Sequence, residues 1–342
     1  MQRLRLAARR LALLALTLWG LATVVFIMMK VVPGNEAQVA AGPGASQEQI
    51  VKLAERMGLD QPLPFQYAAF LRRMLGGDLG TSIQSGRPVL QDLLELLPST
   101  LELVFYAAVL GTLMAFPLAM ISSTARGQFS DFAARVCVLA VGSMPAFWLA
   151  LMLQYLCGSV WEITPISGQS SYGMAPPVLT GVVTFDALLS GNPAMIGDAF
   201  AHMALPAFVF AVPFASQCYR LLRASLLHVL TSDMIAPLRA KGAHPARIML
   251  SHALPNAVAP TISLMGTLLG VMVASAILVE MVFGRPGVGS YLANAVEFKD
   301  TYAVLGTVMF IGIAVCLLNL AADLLIALID PRLRRLDTAR AS

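Results

Sequence analysis

The sequence predicts an all-α membrane protein with six transmembrane helices. Of its 342 residues, 58% are hydrophobic and 12% are charged, whereas soluble domains have roughly 25% charged residues. The sequence contains six apolar runs, and the length of each is near the roughly 20 residues that cross a bilayer as a helix. Helices are expected because they satisfy their own backbone hydrogen bonds, and the runs lack the alternation of barrel strands. The runs occupy residues 11–29, 103–125, 136–161, 199–219, 254–279 and 302–322.

The distribution of Lys and Arg predicts the orientation of the chain. The first run follows "RLRLAARR" and is too long for a typical signal-peptide core, so we expect it to be retained as a helix. With six spans, most basic residues fall on the side that holds both termini, the link at 126–135 and the loop at 220–247. The positive-inside rule makes that side cytoplasmic. Both termini are therefore predicted to lie inside.

Two long stretches are predicted on the external side. The first, residues 33–98, contains a helical segment at 47–57 followed by the turn-rich "GLDQPLPFQY" and "GGDLGTSIQSGRPV". It is either a solvated insert or a contact for something that arrives from the periplasm. The second, residues 159–198, is rich in Gly, Pro and Ser, and its amphipathic piece at 185–189 is expected at the membrane interface.

A polar, basic stretch, "RAKGAHPARIMLSHALP", separates the fourth and fifth apolar runs. Ser232 or Asp233 is expected to cap a short helix that runs through Lys241. Gly242 then ends this helix in the left-handed conformation, and Pro245 starts a second helix. The predicted structure is helix, turn, helix on the cytoplasmic face.

The glycine turn followed by Leu254 and Pro255 resembles the coupling loop of binding-protein-dependent ABC importer permeases. The resemblance covers nearly the whole chain and is closest to the peptide/nickel branch, where the long insert after the first helix is similar to the B-type subunit of dipeptide and oligopeptide importers. Pro237 and Leu238 depart from the small residues of the family pattern, so the first coupling helix is expected to be short or bent. The matching segments are "GLDQPLPFQY", "GDLGTSIQSGRPV", "LPSTLEL", "RAKG", "HALPNAVAP", "VEMVFGRPGVG" and "LNLAADLLIALIDPRLR".

This resemblance implies a type I permease fold in three parts. These are the N-terminus with the first helix at 1–32, a periplasmic insert at 33–98, and a permease core at 99–342 whose coupling loop spans 226–256. It also implies an inner-membrane subunit that forms the pathway for short peptides delivered by a periplasmic binding protein. Related importers carry nickel, glutathione or other small solutes. The implied partners are a C-type permease, two ATP-binding subunits that use ATP and Mg, the binding protein and the lipid bilayer.

The resemblance also assigns candidate site residues. For the binding protein or the external gate, the candidates are Asp60, Tyr67, Asp78, Ser82 and Arg87. Two further candidates come from the residues and not from the resemblance, because ionisable groups near a membrane are costly unless they face water or a partner. Glu102 and Glu280 lie near the external ends of two spans, where each either meets a substrate's amine or the binding protein, or is an interfacial residue exposed to water. For contact with the ATPase, the candidates are Asp233, Arg239, Lys241, Gly242, His244, Pro245, Arg247, Leu254 and Pro255.

Other functional classes fit the sequence less well. "GRPGVGS" lacks the lysine of a phosphate loop, and the four histidines and four cysteines lack metal-ligand spacing, so neither an enzyme nor a cofactor or metal site is expected. An ion-coupled secondary carrier usually has buried charge at mid-membrane, where this chain is nearly charge-free. A noncatalytic anchoring protein remains an alternative, and it predicts no ATPase partner. Nothing indicates nucleic acid.

Overall fold

The computed structural model describes residues 2–31, 37, 44–56 and 59–329, with side chains described from residue 12 to residue 321 except at a few positions. Within this part of the chain the regular structure is helical, apart from one isolated bridge between Thr81 and Pro88. The predicted boundary at 32/33 and the C-terminal tail beyond 329 lie outside the described residues. The all-α prediction is confirmed for the part described.

The helices are α1 Gln2–Val31, α2 Gln47–Arg56, α3 Leu63–Leu75, α4 Val89–Thr124, α5 Phe129–Gly142, α6 Ala146–Leu153 with a π-helical continuation Gln154–Val160, α7 Val183–Ser190, α8 Pro193–Leu230, α9 Ala236–Ala240, α10 Pro245–Arg247 with a π-helical continuation Ile248–Ala253, α11 Leu254–Ala257, α12 Ala259–Val282, α13 Val288–Glu297 and α14 Thr301–Ile329. Among the described residues, the longest link between consecutive helices is the one between α6 and α7.

Four helices, α4, α8, α12 and α14, are long and apolar enough to cross a membrane. The run at 136–161, predicted as one span, is instead two helices, α5 and α6, which meet at 97°. The break falls at Pro145, whose missing N–H and ring disfavour a continuous helix and whose position is the N-cap of α6. A shorter apolar helix, Ala12–Met28, lies within α1. By length and composition, the described residues therefore give four spans, or five if the bent pair is one.

Two hydrophobic cores hold these helices together. The larger core lies between α4, α8 and α12. Gly111 lets α4 approach α8 closely, since a Cβ at this position would lie 2.7 Å from a ring carbon of Phe214. The smaller core joins α1, α3, α13 and α14 to the start of α4, and includes Val25, Phe70 and Val89. The insert helix α3 is thus packed onto the membrane helices.

Candidate functional site

The polar stretch after α8 folds as a helix, a turn and a second helix. Neither Ser232 nor Asp233 caps the first helix: α9 begins at Ala236, with Ile235 at the N-cap and no side-chain cap. The cause is Pro237, which has no N–H and therefore fits the first turn of a helix rather than its interior. This prediction was wrong by one turn, and α9 is short, as the proline suggested.

Gly242 forms the turn, as predicted. Its φ of 75° is in the left-handed region, where glycine carries no steric penalty. The amide of Gly242 donates to the carbonyl of Arg239 at 2.9 Å, and that of Ala243 donates to Leu238 at 3.1 Å. Pro245 opens α10, where the amide of Ala246 donates to Nδ1 of His244 at 3.3 Å. The two short helices are therefore fixed by backbone bonds.

The turn is an exposed projection with buried ends. Ile235 before it and Ile248 and Met249 after it are 1%, 5% and 5% exposed, respectively. Leu254 is half-buried, Pro255 is exposed, and every other residue predicted to contact an ATPase is exposed. Buried anchors at both ends keep the projection fixed to the bundle. We refer to residues 233–247 as the projecting loop.

A cleft of about 690 Å³ lies beneath the projecting loop. One wall is formed by Thr124 at the end of α4 and by Arg126 just after it, and another is the end of α8, including Leu227 and Leu230. Arg239 lines the third wall, within 3.4 Å of the carbonyl of Leu230. The projecting loop is thus attached at its ends but not packed flat on the bundle.

A buried polar cluster joins three helices close to this cleft. Asp131 of α5, 1% exposed, accepts hydrogen bonds from Ser122 of α4 at 2.6 Å and from Arg223 of α8 at 2.9 Å. The Tyr219 hydroxyl lies 2.8 Å from that of Ser122. The sequence analysis did not predict this cluster. The one indication in the sequence was that Asp131 and Arg223 lie just outside two apolar runs.

A second buried ion pair lies at the opposite end of the bundle. The guanidinium of Arg285, which follows α12, donates to Glu102 of α4 at 3.0 Å, and the two side chains are 1% and 0% exposed. Burial lowers the pKa of Arg285, and the charge of Glu102 opposes that change. Glu102 also accepts from the amide and hydroxyl of Thr184 at 2.7 and 2.6 Å. One carboxylate therefore joins α4, α7 and the turn after α12.

Glu280 occupies a similar position at the end of α12. Its carboxylate accepts from the Thr100 hydroxyl at 2.6 Å and from the amide of Ser290 at 2.9 Å. The carboxyl group faces the N-terminus of α13, where it accepts from one of the amides of the first helical turn. Counted as whole residues, backbone included, Glu280 and Glu102 are 1% and 3% exposed, so the alternative that they are water-exposed interfacial residues was wrong. Their role along a substrate pathway stays a prediction.

Two glycines allow α13 to approach Glu280. A Cβ at Gly287 would lie 2.3 Å from the Glu280 carboxylate, and a Cβ at Gly289 would lie 2.4 Å from the Cα of Ile277. The close approach explains two of the three glycines of "GRPGVGS", Gly287 and Gly289, without any phosphate chemistry. The sequence analysis did not single out Arg285, the buried basic residue of this segment.

Gly289→Ala is expected to destabilise the protein by about 2 kcal/mol or more, because the contact is with backbone that has no room to yield. The measurement is the thermal unfolding midpoint of the purified chain in detergent. Gly197→Ala is the matched control, since nothing lies within 4 Å of its Cβ position in α8. Equal midpoints for the two variants would contradict the packing described.

The residues predicted for a binding-protein contact lie in different surroundings. Asp60 and Asp78 are exposed. Tyr67 of α3 is half-buried, with its hydroxyl 2.6 Å from that of Thr23. Ser82 is 2% exposed. Arg87, whose side chain is 42% exposed, pairs with Glu95. Ser82 and Arg87 lie in one turn before α4, and Asp60 and Tyr67 flank the start of α3.

In the described residues, no group of three or more His, Cys, Asp or Glu side chains is placed to hold a metal ion.

Two family models match this chain, and together they cover most of its length. The family described as binding-protein-dependent transport system inner membrane component matches residues 107–335, and its N-terminal counterpart matches residues 3–104. The chain belongs to this family. It is therefore an inner-membrane subunit of a transport system and not itself an enzyme.

Relatives within the family match along nearly the full chain. The probable D,D-dipeptide transport system permease protein of Escherichia coli K12 is 37% identical over 94% of this chain and 95% of its own length. The dipeptide transport system permease protein of the same strain is 34% identical over 97% and 99%. The di/tripeptide transport system permease protein of Pseudomonas aeruginosa is 33% identical over 96% and 98%.

A solved structure supports the fold assignment. A chain of the MetNI methionine ABC transporter, in inward-facing conformations, matches with a TM-score of 0.51 and 17% identity, over 68% of this chain and 93% of that chain. At this identity the likeness concerns the fold alone. The chain therefore shares the helical fold of an ABC importer membrane subunit.

Proposed function

We propose that this chain is the B-type permease subunit of an ATP-driven importer of short peptides, and that the projecting loop is its contact with an ATPase. The observation that best supports this proposal is the structure of the projecting loop. Its surface is exposed and polar, buried residues hold it at both ends, and Gly242 forms its turn in the left-handed conformation. Such an element transmits a movement from a partner to the helices that it joins. The peptide substrate is supported by the names of the relatives.

In this proposal six segments cross the membrane: α1, α4, the α5–α6 pair, α8, α12 and α14. Both termini and the coupling loop at 226–256 face the cytoplasm, in keeping with the basic residues at that end. The N-terminus and first helix at 1–32, the periplasmic insert at 33–98 and the permease core at 99–342 are then its three parts.

The proposed mechanism is alternating access. A second, C-type permease pairs with this chain to enclose the pathway, and two ATP-binding subunits bind ATP and Mg. When they close, they move the projecting loop, which lies between α8 and α12. The coupling requires that the ATPases contact the loop differently in the two states. Since α8 and α12 both pack on α4, a shift of the loop reaches the helices of the larger core.

The experiment is uptake of a radiolabelled dipeptide into proteoliposomes that contain the purified importer and its periplasmic binding protein. We expect uptake to require ATP on the side of the membrane that carries the ATP-binding subunits. We also expect uptake to continue when a protonophore is added. Uptake that does not depend on ATP and is abolished by an ionophore would instead indicate an ion-coupled carrier. Competition by unlabelled dipeptide, glutathione or nickel distinguishes the related solute classes.

A further inference from the structure

The segment immediately before α4 is a closed reverse turn rather than an open loop. The amide of Ser82 donates to the carbonyl of Arg87, and that of Val89 donates to Gly80, both at 3.0 Å. Gly80 and Gly86 adopt the left-handed conformation, with φ of 89° and 68°. The backbone of residues 80–89 is thus held in one shape, and we refer to these residues as the external turn.

Asp300 lies directly before α14 and accepts hydrogen bonds from the external turn, although more than half of the sequence separates the two segments. Its Oδ2 accepts from the hydroxyl of Ser82 and from the amide of Ile83, both at 2.7 Å. Its Oδ1 accepts from the amide of Ala303 at 3.0 Å, which satisfies a free donor of the first helical turn. Asp300 is 1% exposed. One buried carboxylate therefore fixes both the helix and the external turn.

The packing beneath the external turn is equally close. A Cβ at Gly80 would lie 2.6 Å from the ring of Tyr302, and a Cβ at Gly306 would lie 2.9 Å from Val89. These contacts place the base of the external turn directly on the first two turns of α14. A displacement of α14 thus carries the external turn with it.

A second carboxylate steadies the other arm of the external turn. Asp92, 6% exposed, accepts from the hydroxyl of Ser85 at 2.6 Å and lies 3.5 Å from the guanidinium of Arg87. The tip between the two carboxylates is open to solvent: Ile83 is 41% exposed, and Gln84 and Ser85 are exposed. Two buried anchors beneath an exposed tip are the arrangement of a preorganised contact surface.

We propose that Asp300 is a positioning residue that holds the external turn in the conformation that contacts the binding protein. This rests on the proposed function, because the binding protein is the partner that meets the external face. The tip has one apolar side chain, Ile83, among polar ones, which favours a polar protein surface over lipid. Preorganisation lowers the entropy cost of that contact.

Asp300→Asn tests the proposal. The amide oxygen still caps α14, but its NH₂ group faces the donors of Ser82 and Ile83, so the external turn loses its acceptor. The measurement is the ATPase activity of the reconstituted importer as the concentration of the binding protein rises. We expect the half-saturating concentration to increase about tenfold or more, with the maximal rate nearly unchanged, since hydrogen bonds to a charged group are lost.

Two further variants separate positioning from general damage. Ser82→Ala removes one donor to Asp300 and the acceptor of the Ser85 amide but leaves the cap intact. It is expected to raise the half-saturating concentration by a smaller factor, because the Ile83 amide still binds Asp300. Thr307→Val removes a buried hydroxyl from the same helix without touching the external turn, and is expected to leave that concentration unchanged. If Asp300→Asn does not assemble, Ser82→Ala carries the test.

The outcomes also separate this inference from the proposed function. If no binding protein stimulates the wild-type importer, the proposed function fails. If the wild type is stimulated and neither Asp300→Asn nor Ser82→Ala shifts the half-saturating concentration, the inference alone is overturned. It is overturned as well if Thr307→Val shifts that concentration as much as Asp300→Asn does.

Discussion

Gly242→Trp is expected to reduce peptide uptake more than tenfold while the chain still inserts into the membrane. Nothing lies within 4 Å of the Cβ position of Gly242, so the added Cβ meets no neighbouring atom and the cost within the chain is that of the left-handed backbone. The indole would, however, occupy the surface that the ATPase needs, and a bulky group at the centre of an interface has a large effect on binding. Uptake and ATP hydrolysis, measured together in proteoliposomes, show whether the two become uncoupled.

Smaller substitutions separate backbone strain from loss of the contact surface. Gly242→Ala places a Cβ in the left-handed region and costs about 1 kcal/mol, whereas asparagine tolerates that region. We therefore expect Gly242→Asn to retain most activity, Gly242→Ala to lose some, and Gly242→Trp to lose nearly all.

Gly191→Trp is the matched control for this series. Gly191 also has positive φ, 66°, and nothing within 4 Å of its Cβ position, but it follows α7 on the proposed external side. We expect this variant to transport normally. Normal uptake by Gly242→Trp at normal abundance would contradict the coupling role of the projecting loop.

Removing one partner of the Glu102–Arg285 pair is expected to destabilise the protein by about 3–5 kcal/mol, because the other charge is then left buried and unpaired. Glu102→Gln keeps the shape of the side chain and an acceptor for Thr184, but turns an amide donor toward Arg285. Arg285→Met leaves the carboxylate without its cation. The measurement is the free energy of unfolding in a denaturant titration of the detergent-solubilised chain.

The double variant Glu102→Gln with Arg285→Met is expected to recover most of the loss, since neither charge remains. Lys52→Met is the control, because the Lys52–Glu48 ion pair is 66% and 78% exposed. Exposed pairs contribute about 0–1 kcal/mol. Equal losses for Arg285→Met and Lys52→Met would show that burial of the Glu102–Arg285 pair does not matter.

The sequence predicted the helical class and the projecting loop because both follow from local chemistry. Long apolar runs determine membrane helices, and Gly242 and Pro245 determine a turn and a helix start almost independently of what surrounds them. The bend at Pro145 was missed because the run around it contains no charged residue, so its length and hydropathy fitted a single span. The cap at Ser232 or Asp233 was wrong because the position of Pro237 decided where α9 begins.

The buried carboxylates could not be assigned from sequence, because their partners are far away in the chain. Glu102 reaches Arg285, Glu280 reaches Thr100, and Asp300 reaches Ser82. Each pair depends on how α4 packs against α12, α13 and α14, which no local pattern specifies. The sequence placed the two glutamates at helix ends but not the residues that enclose them.

The central claim is that the projecting loop connects this chain to an ATPase, and co-purification tests it most directly. The tagged chain is expressed with its neighbouring genes, extracted in detergent and captured, beside Gly242→Trp and Gly191→Trp. We expect an ATPase and a second permease to co-purify with the wild type and with Gly191→Trp, and the ATPase to be lost with Gly242→Trp. Absence of any ATPase from the wild-type complex, or its full retention by Gly242→Trp, would contradict the account.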